Sequence, residues 1–172
     1  MRRPGIFVAL CIMLGTLAGV VTASPALAGR GHKWQVVDAG PFTLPASLCG
    51  FKVRVKPVSK EYVKMLKASD GSMISLLTGA LRFSYTNLST GKAITENVSG
   101  PGKFTVHADG SATSVALGHT AQFLLPADAQ RFGFPTINVT TGRLVTNADA
   151  AGNITSLTLH GHVAVDVCAA LS

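Results

Sequence analysis

Acidic side chains are scarce in this sequence. Eight aspartates and glutamates stand against fifteen lysines and arginines, and only two of the acids, Glu61 and Glu96, are glutamates. A glycosidase that works through paired carboxylates would therefore have to use scattered aspartates. Hydrolase elbows, glycine loops that cradle phosphate and the His-Glu-x-x-His motif are also missing. The sequence thus carries no catalytic signature.

Long hydrophobic runs are missing as well, with one exception near the first residue. Ile6–Val21 is a run of 16 residues interrupted only by glycine and threonine, preceded by two arginines and followed by small residues that end at Ala28. The run is shorter than the roughly 20 residues that span a bilayer core. These features predict a signal peptide over residues 1–28, cleaved between Ala28 and Gly29. We therefore expect a secreted, extracellular protein without stable membrane insertion.

Cysteine is rare, with three in the whole chain. Cys11 would leave with the signal peptide, so the mature protein would keep only Cys49 and Cys168. Because disulfides form readily outside the cytosol, this pair predicts a disulfide bond. Two buried free thiols are the alternative.

Alternation of apolar and polar residues dominates the rest of the chain. In residues 51–56, for example, Phe51, Val53 and Val55 alternate with three basic residues. Asp70-Gly71 and Asp109-Gly110 predict type I′ hairpin turns, in which both central residues have positive φ. We therefore predict an all-β antiparallel meander of about eight or nine strands, in a single domain over residues 42–172.

A closed barrel and a sandwich both fit this pattern. We prefer the barrel, because closure removes exposed sheet edges. Residues 29–41 are expected to form a flexible arm that begins to order near Trp34.

Two segments are less regular than the rest. Ser59–Lys67 fits two helical turns or a strand, and the apolar, β-like segment across the Asp70-Gly71 turn favours the strand. Leu125–Pro135 is predicted to be an irregular surface loop. The last strand is expected to reach Cys168, with its apolar residues from Leu157 to Val167 on one face.

Four segments carry a resemblance to known proteins. They are Cys49-Gly50-Phe51 at the start of a strand, Thr86–Lys92 at a hairpin, Asn97–Gly102 after it, and Val165–Leu171 at the end. In these segments the chain resembles a group of uncharacterised secreted β-rich proteins of actinobacteria. The resemblance covers most of the predicted mature chain and implies a bacterial, extracellular β domain with paired cysteines. It implies no activity, because no function is established for the group.

His160 and His162 are candidate metal ligands. Residues two apart on a strand point to the same face, so both imidazoles could meet one zinc or copper ion. Asp166 is expected on that face as well, with His107 or His119 as a source of a further ligand. The alternative is a polar outer face of the last strand, which needs no cofactor.

A cluster of basic residues is the second candidate site. The predicted mature chain holds thirteen basic residues and eight acids, a net charge of +5. Such a cluster attracts polyanions, although a solubilising face is the commoner role. Because only Tyr62 is close by for stacking on bases, nucleic acid is not the expected partner. The cluster comprises Lys52, Arg54, Lys56, Lys60, Lys64 and Lys67.

Three functions are therefore considered. The leading hypothesis is a non-enzymatic extracellular barrel that binds a small apolar ligand or an anionic cell-surface polymer. The second is a secreted enzyme, either a metal-assisted hydrolase using His160 and His162 or a cofactor-free isomerase or cyclase. The third is a structural component of the cell envelope.

Overall fold

The computed structural model describes residues 33–37 and 39–172. The predicted signal peptide, its cleavage site at Ala28 and Gly29, and the start of the predicted arm lie outside the described residues. Within those residues the protein is all-β and antiparallel, and Cys49 is joined to Cys168 by a disulfide bond, as predicted. No helix among them is long and apolar enough to cross a membrane.

The described residues form eleven strands, more than the eight or nine predicted, and two short helices. They are β1 (Gln35–Val37), β2 (Phe42–Leu44), β3 (Val53–Pro57), β4 (Glu61–Lys67), β5 (Met73–Gly79), β6 (Arg82–Asn87), β7 (Ala93–Asn97), β8 (Gly102–Val106), β9 (Ala112–Phe123), α1 (Pro126–Phe132), β10 (Ile137–Ala148), β11 (Ile154–Asp166) and α2 (Val167–Leu171). The strand predicted within Ser59–Lys67 is confirmed as β4. The segment expected to become ordered near Trp34 forms β1, at an edge of a sheet.

The strands form two open sheets, so the predicted closed barrel and simple meander are wrong. The large sheet has the order β1-β4-β5-β8-β9-β10-β11, and the small sheet has the order β2-β3-β6-β7. The chain changes from one sheet to the other after β1, β3, β5 and β7.

The core lies between the small sheet and one half of the large sheet. Phe83 and Tyr85 of β6 meet Phe123 of β9, with ring centroids 6.4 and 6.5 Å apart, and Phe42 packs edge-on against Phe123. Val53 and Val55 are fully buried against this aromatic cluster, and the alternate positions of β3 are exposed. The period-two pattern therefore places its apolar residues as predicted.

The Asp-Gly turns are three-residue loops. Ala68 donates to the carbonyl of Ser72 and Gly71 donates to the carbonyl of Ala68, so a turn is followed by a left-handed Gly71 with φ of 89°. This is a bulged hairpin and not the predicted type I′ turn. The Asp70 carboxylate accepts from the backbone N–H of Ser72, and this hydrogen bond lowers the pKa of Asp70. Asp109-Gly110 repeats the geometry between β8 and β9.

Strands β9, β10 and β11 bend together at a row of glycines. Gly118, Gly142 and Gly161 pair directly across the three strands and have φ values of 79°, 122° and 156°. A Cβ on Gly142 would lie 2.2 Å from the carbonyl oxygen of His160, so only glycine fits there.

The bend brings the two halves of these long strands to face each other. Phe123 and Ala112 mark opposite ends of β9, and a straight strand would separate them by about 36 Å. Ile154 belongs to the Ala112 end, since both residues pair with Ala148. Nevertheless Ile154 packs in one apolar cluster with Leu124, which follows Phe123. The concave side of the bent sheet therefore encloses space.

A bulge in β11 changes the faces of its last residues. Val163 and Val165 pair with adjacent residues of β10, and Ala164 has no pairing partner. Val165 consequently joins the core between the sheets, whereas Leu157 packs in the smaller apolar cluster. The single apolar face predicted from Leu157 to Val167 is therefore wrong.

Leu125–Pro135 is not the predicted irregular loop, because it contains helix α1. Pro126 occupies the first turn, Gly133 caps the other end with φ of 74°, and Ala129 is buried. Proline at the start and glycine at the end are typical helix signals.

The disulfide also lies in different elements than predicted. Cys49 precedes β3 in a turn, and Cys168 belongs to α2 rather than to the last strand. The Asp166 side chain accepts from the backbone N–H of Ala169 at 3.0 Å and caps this helix, which ends β11 at Asp166.

Candidate functional site

A cavity of about 110 Å³ lies between strands of both sheets. Its walls come from β4, β5, β8 and β9 of the large sheet and from residues at the ends of β6 and β7 in the small sheet. Apolar side chains form most of the wall, namely Leu77, Leu81, Phe83, Val98, Ala116, Ala121 and Phe123, with Gly100 and Gly102 between them. The polar side chains at this cavity are Glu61, Ser114, His119 and Thr120.

Glu61 places a carboxyl group in this apolar setting. It is in phase with Val63 and Met65 along β4, and residues two apart share a face of the sheet. Its Oε2 atom is buried and has no hydrogen-bond partner among the described residues. Because burial disfavours the charged form, the pKa of Glu61 rises to about 7. The carboxyl group therefore titrates near neutral pH and, when ionised, has an oxygen ready to accept a hydrogen bond.

His119 contributes an imidazole to the same cavity. Its Nδ1 lies 3.0 Å from the Oγ1 of Thr141, its direct partner on β10. This hydrogen bond orients the ring and occupies Nδ1. The cavity thus combines a carboxyl group and an imidazole with a largely apolar wall, which is the usual composition of a small-molecule site.

A smaller cavity of about 60 Å³ adjoins the first one on the concave side of the bent sheet. The two cavities share several residues of β9, including Ser114 and Ala116. Gln122 reaches the smaller cavity, and its Oε1 atom is buried without a hydrogen-bond partner among the described residues. A space of this size suits one or two water molecules.

The predicted metal ligands do not converge. His160 and His162 are exposed on one face of β11, where His160 pairs with Arg143. Asp166 was expected on that face, but this is wrong. Asp166 and His162 pair with β10 residues three positions apart, which places them on opposite faces. The described residues contain no group of three His, Cys, Asp or Glu side chains that could hold a metal ion.

His107, proposed with His119 as a further metal ligand, belongs to a ladder of polar side chains. Its Nε2 lies 3.0 Å from the Oγ1 of Thr113, which donates to Asn147 Oδ1, and Asn147 Nδ2 donates to Ser156. Because the hydroxyl proton of Thr113 points to Asn147, His107 must donate to Thr113. The pair is therefore arranged for structure and not for activating a nucleophile.

The predicted basic cluster is divided between the two sheets. Lys52, Arg54 and Lys56 are exposed on the outer face of the small sheet. Lys64 and Lys67 belong to β4 of the large sheet, and Lys60 lies in the connection between the two. The six residues therefore do not form one surface.

No protein-family model, curated protein or solved structure matches this chain. The resemblance to secreted actinobacterial proteins therefore stays a prediction.

Neither Glu61 as a site residue nor the cavity was predicted from the sequence. A signal was present, because Glu61 is in phase with the apolar residues Val63 and Met65. The rest of the wall comes from residues up to 62 positions away along the chain, as far as Phe123. Strand pairing and the packing of one sheet on the other bring those residues together.

Proposed function

We propose that this protein is a secreted, non-enzymatic binding module for a small, largely apolar ligand that carries a hydrogen-bond donor. The ligand would occupy the cavity beside Glu61. The observation that carries this proposal is the Glu61 Oε2 atom, buried in an apolar wall without a hydrogen-bond partner among the described residues. An unpaired buried oxygen is costly, and a donor on a ligand removes that cost.

The size of the cavity limits the ligand. An apolar cavity of about 150 Å³ accommodates a benzene ring. A cavity of about 110 Å³ therefore suits a branched aliphatic group or a small ring. Leu77, Leu81 and Phe123 would contact this apolar part, and Glu61 would accept from the donor.

An amine fits this site best at neutral and alkaline pH. A positive charge near Glu61 favours the ionised carboxylate, so amine binding is coupled to release of the proton from Glu61. A neutral alcohol of the same shape gains less from the ionised carboxylate, since hydrogen bonds between charged groups are stronger.

The test is titration of the protein with 3-methylbutylamine and with 3-methylbutanol, followed by NMR shifts of backbone amides in β4 and β9. We expect the amine to bind more tightly than the alcohol above pH 7, and to lose this advantage at pH 5. Glu61→Gln should reduce amine affinity at least tenfold at pH 8, as expected for loss of a charged hydrogen bond.

Glu96→Gln is the matched control, because Glu96 is the only other glutamate and does not line the cavity. It should leave the affinity of both probes unchanged. Equal losses in the two variants, or shifts that map outside the cavity, would contradict the proposal. If neither probe bound the natural protein or either variant, this result would favour the structural function in the cell envelope.

A cofactor-free isomerase is the second candidate function, favoured by a carboxyl group with a pKa of about 7 and a histidine that line the same cavity. A general base is most effective when its pKa lies near the working pH. In this case a small carbon acid that binds at the cavity would exchange a proton with deuterated solvent. Glu61→Gln would abolish this exchange, whereas a pure binding module would show none.

A further inference from the structure

Four basic residues lie on the outer side of the small sheet and are called the basic face. They are Lys52, Arg54, Lys56 and Arg82. All four side chains are exposed. Lys56 pairs with Ser84, the residue two positions after Arg82 on β6, so Arg82 shares the face of the β3 cations. The pairing of β3 with β6 thus adds Arg82 to this group of cations, although Arg82 was not part of the basic cluster predicted from the sequence.

The neighbours of these cations are neutral. The other side chains that the register places on this face are hydroxyls, an amide and a methyl group, namely Thr43, Ser84, Thr86, Ala93, Thr95 and Asn97. Glu96 pairs with Phe83 and therefore lies on the inner face. Among the residues that the structure describes, no carboxylate shares the small sheet's outer face. Its positive charge is therefore not neutralised locally.

The spacing of the cations suits an extended chain of negative charges. Arg54 and Lys56 are two residues apart on β3, so their Cα atoms lie about 6.6 Å apart along the strand, and Lys52 directly precedes this strand. Serine and threonine hydroxyls on the neighbouring strand offer hydrogen-bond donors to phosphate oxygens.

Among the described residues, the outer face of the small sheet carries no aromatic side chain on which a nucleobase could stack. Phe83 and Tyr85 of β6 point into the core, where both are buried. Tyr62, the aromatic residue close to the predicted cluster in sequence, lies on β4 of the large sheet. Proteins that bind single-stranded nucleic acid usually supply such aromatics.

We propose that the basic face binds an extended, base-free phosphate polymer. Contact with phosphates displaces counterions, so affinity falls steeply as salt rises. Four cations predict a slope of about −3 in a plot of log affinity against log salt, on the scale for single strands. Binding of this polymer is separate from the cavity and does not require Glu61.

The experiment measures binding of long-chain inorganic polyphosphate to the whole protein between about 50 and about 200 mM salt. Arg54→Gln with Lys56→Gln should lower the affinity at least tenfold and roughly halve the salt slope. The matched control is Lys67→Gln with Lys103→Gln, which removes the same charge from exposed positions of the large sheet. This control should keep the slope and lose less than threefold in affinity.

Equal losses in the two double variants would show that net charge, and not this face, governs binding, and would overturn the proposal. Affinity independent of salt would overturn it too. Tighter binding of oligothymidylate than of polyphosphate at the same salt would refute the base-free part. These side chains lie outside the core, so we expect every variant to fold. Circular dichroism of each variant tests whether misfolding causes a loss of binding.

Discussion

The carboxyl group of Glu61 lies among apolar side chains, and its environment sets its chemistry. Burial raises its pKa from 4.5 to about 7. The aspartates of the hairpin turns show the opposite behaviour. Asp109 and Asp149 accept hydrogen bonds from neighbouring residues in their loops, and these bonds lower their pKa values. Between pH 5 and 8 these exposed aspartates stay ionised, so they do not contribute to a change in stability over that range.

Glu61 should make the protein less stable as the pH rises. The Glu61 carboxyl group binds its proton more tightly in the folded state than in the unfolded chain. Its contribution to the free energy of unfolding is therefore complete below about pH 4.5 and is lost as the pH rises through about 7. The expected loss is about 1–3 kcal/mol, reduced by solvent screening. Urea unfolding from pH 5 to 8 measures it, and Glu61→Gln should remove this part of the slope. A slope identical in the variant would contradict the prediction.

Single residues were predictable where their chemistry is local. The disulfide partners follow from the count of cysteines and the expected oxidising compartment. The role of Glu61 was not predictable, because the cavity that it lines is also formed by residues distant in the sequence, such as Leu81 and Phe123. The same holds for Arg82, whose place beside Lys56 depends on strand pairing.

At the scale of elements, the long strands depend on the glycine row formed by Gly118, Gly142 and Gly161. The bend folds the concave side of the large sheet around the smaller cavity and brings Leu124 to Ile154. Without it, β9 to β11 would leave two apolar surfaces apart and exposed. The glycines are therefore required by the shape of the sheet.

Gly142→Ala should destabilise the protein by about 3 kcal/mol or more, because its φ of 122° disfavours any side chain and its Cβ would collide with the His160 carbonyl. Gly40→Ala is the control, since a Cβ there meets nothing within 4 Å. Its expected effect is within about 0.5 kcal/mol. The midpoint of urea unfolding measures both, and similar midpoints would show that the bend tolerates a side chain.

The helices show why short elements are hard to predict. Pro126 and Gly133 mark the two ends of α1 in the sequence. The helix has only seven residues, which are too few for the spacing of apolar residues to distinguish a helix from a loop. Helix α2 has five residues and is held by its surroundings. The Asn87 side chain donates to the carbonyl of Leu171, and Asp166 caps the other end.

For the whole molecule, the disulfide joins regions at opposite ends of the described chain. Cys49 and Cys168 are separated by 119 positions, and their Cα atoms lie 5.2 Å apart. The bond ties the turn before β3 of the small sheet to the helix that follows β11 of the large sheet. It therefore links the two sheets covalently at the edge of their shared core.

Replacing both cysteines by serine should lower the unfolding free energy by about 4 kcal/mol, as the chain-entropy model gives for a loop of more than a hundred residues. Urea unfolding of the double variant measures this loss. Reduction of the natural protein with dithiothreitol should give a similar value and serves as the control. A loss below about 1 kcal/mol in both experiments would show that the sheets hold together without the bond.

Sequence by itself determined the local features of this protein. Period-two alternation determined the strands, and the aspartate-glycine pairs determined the hairpins, because both features depend on residues that are close together in the sequence. The disulfide followed from the number of cysteines, since only two remain in the predicted mature chain. The tertiary structure alone decided that the strands form two open sheets, that Ala164 interrupts β11, and that Glu61 reaches a cavity. These outcomes depend on which strands pair and in what register. Contacts between residues far apart in the chain stabilise one pairing over the others.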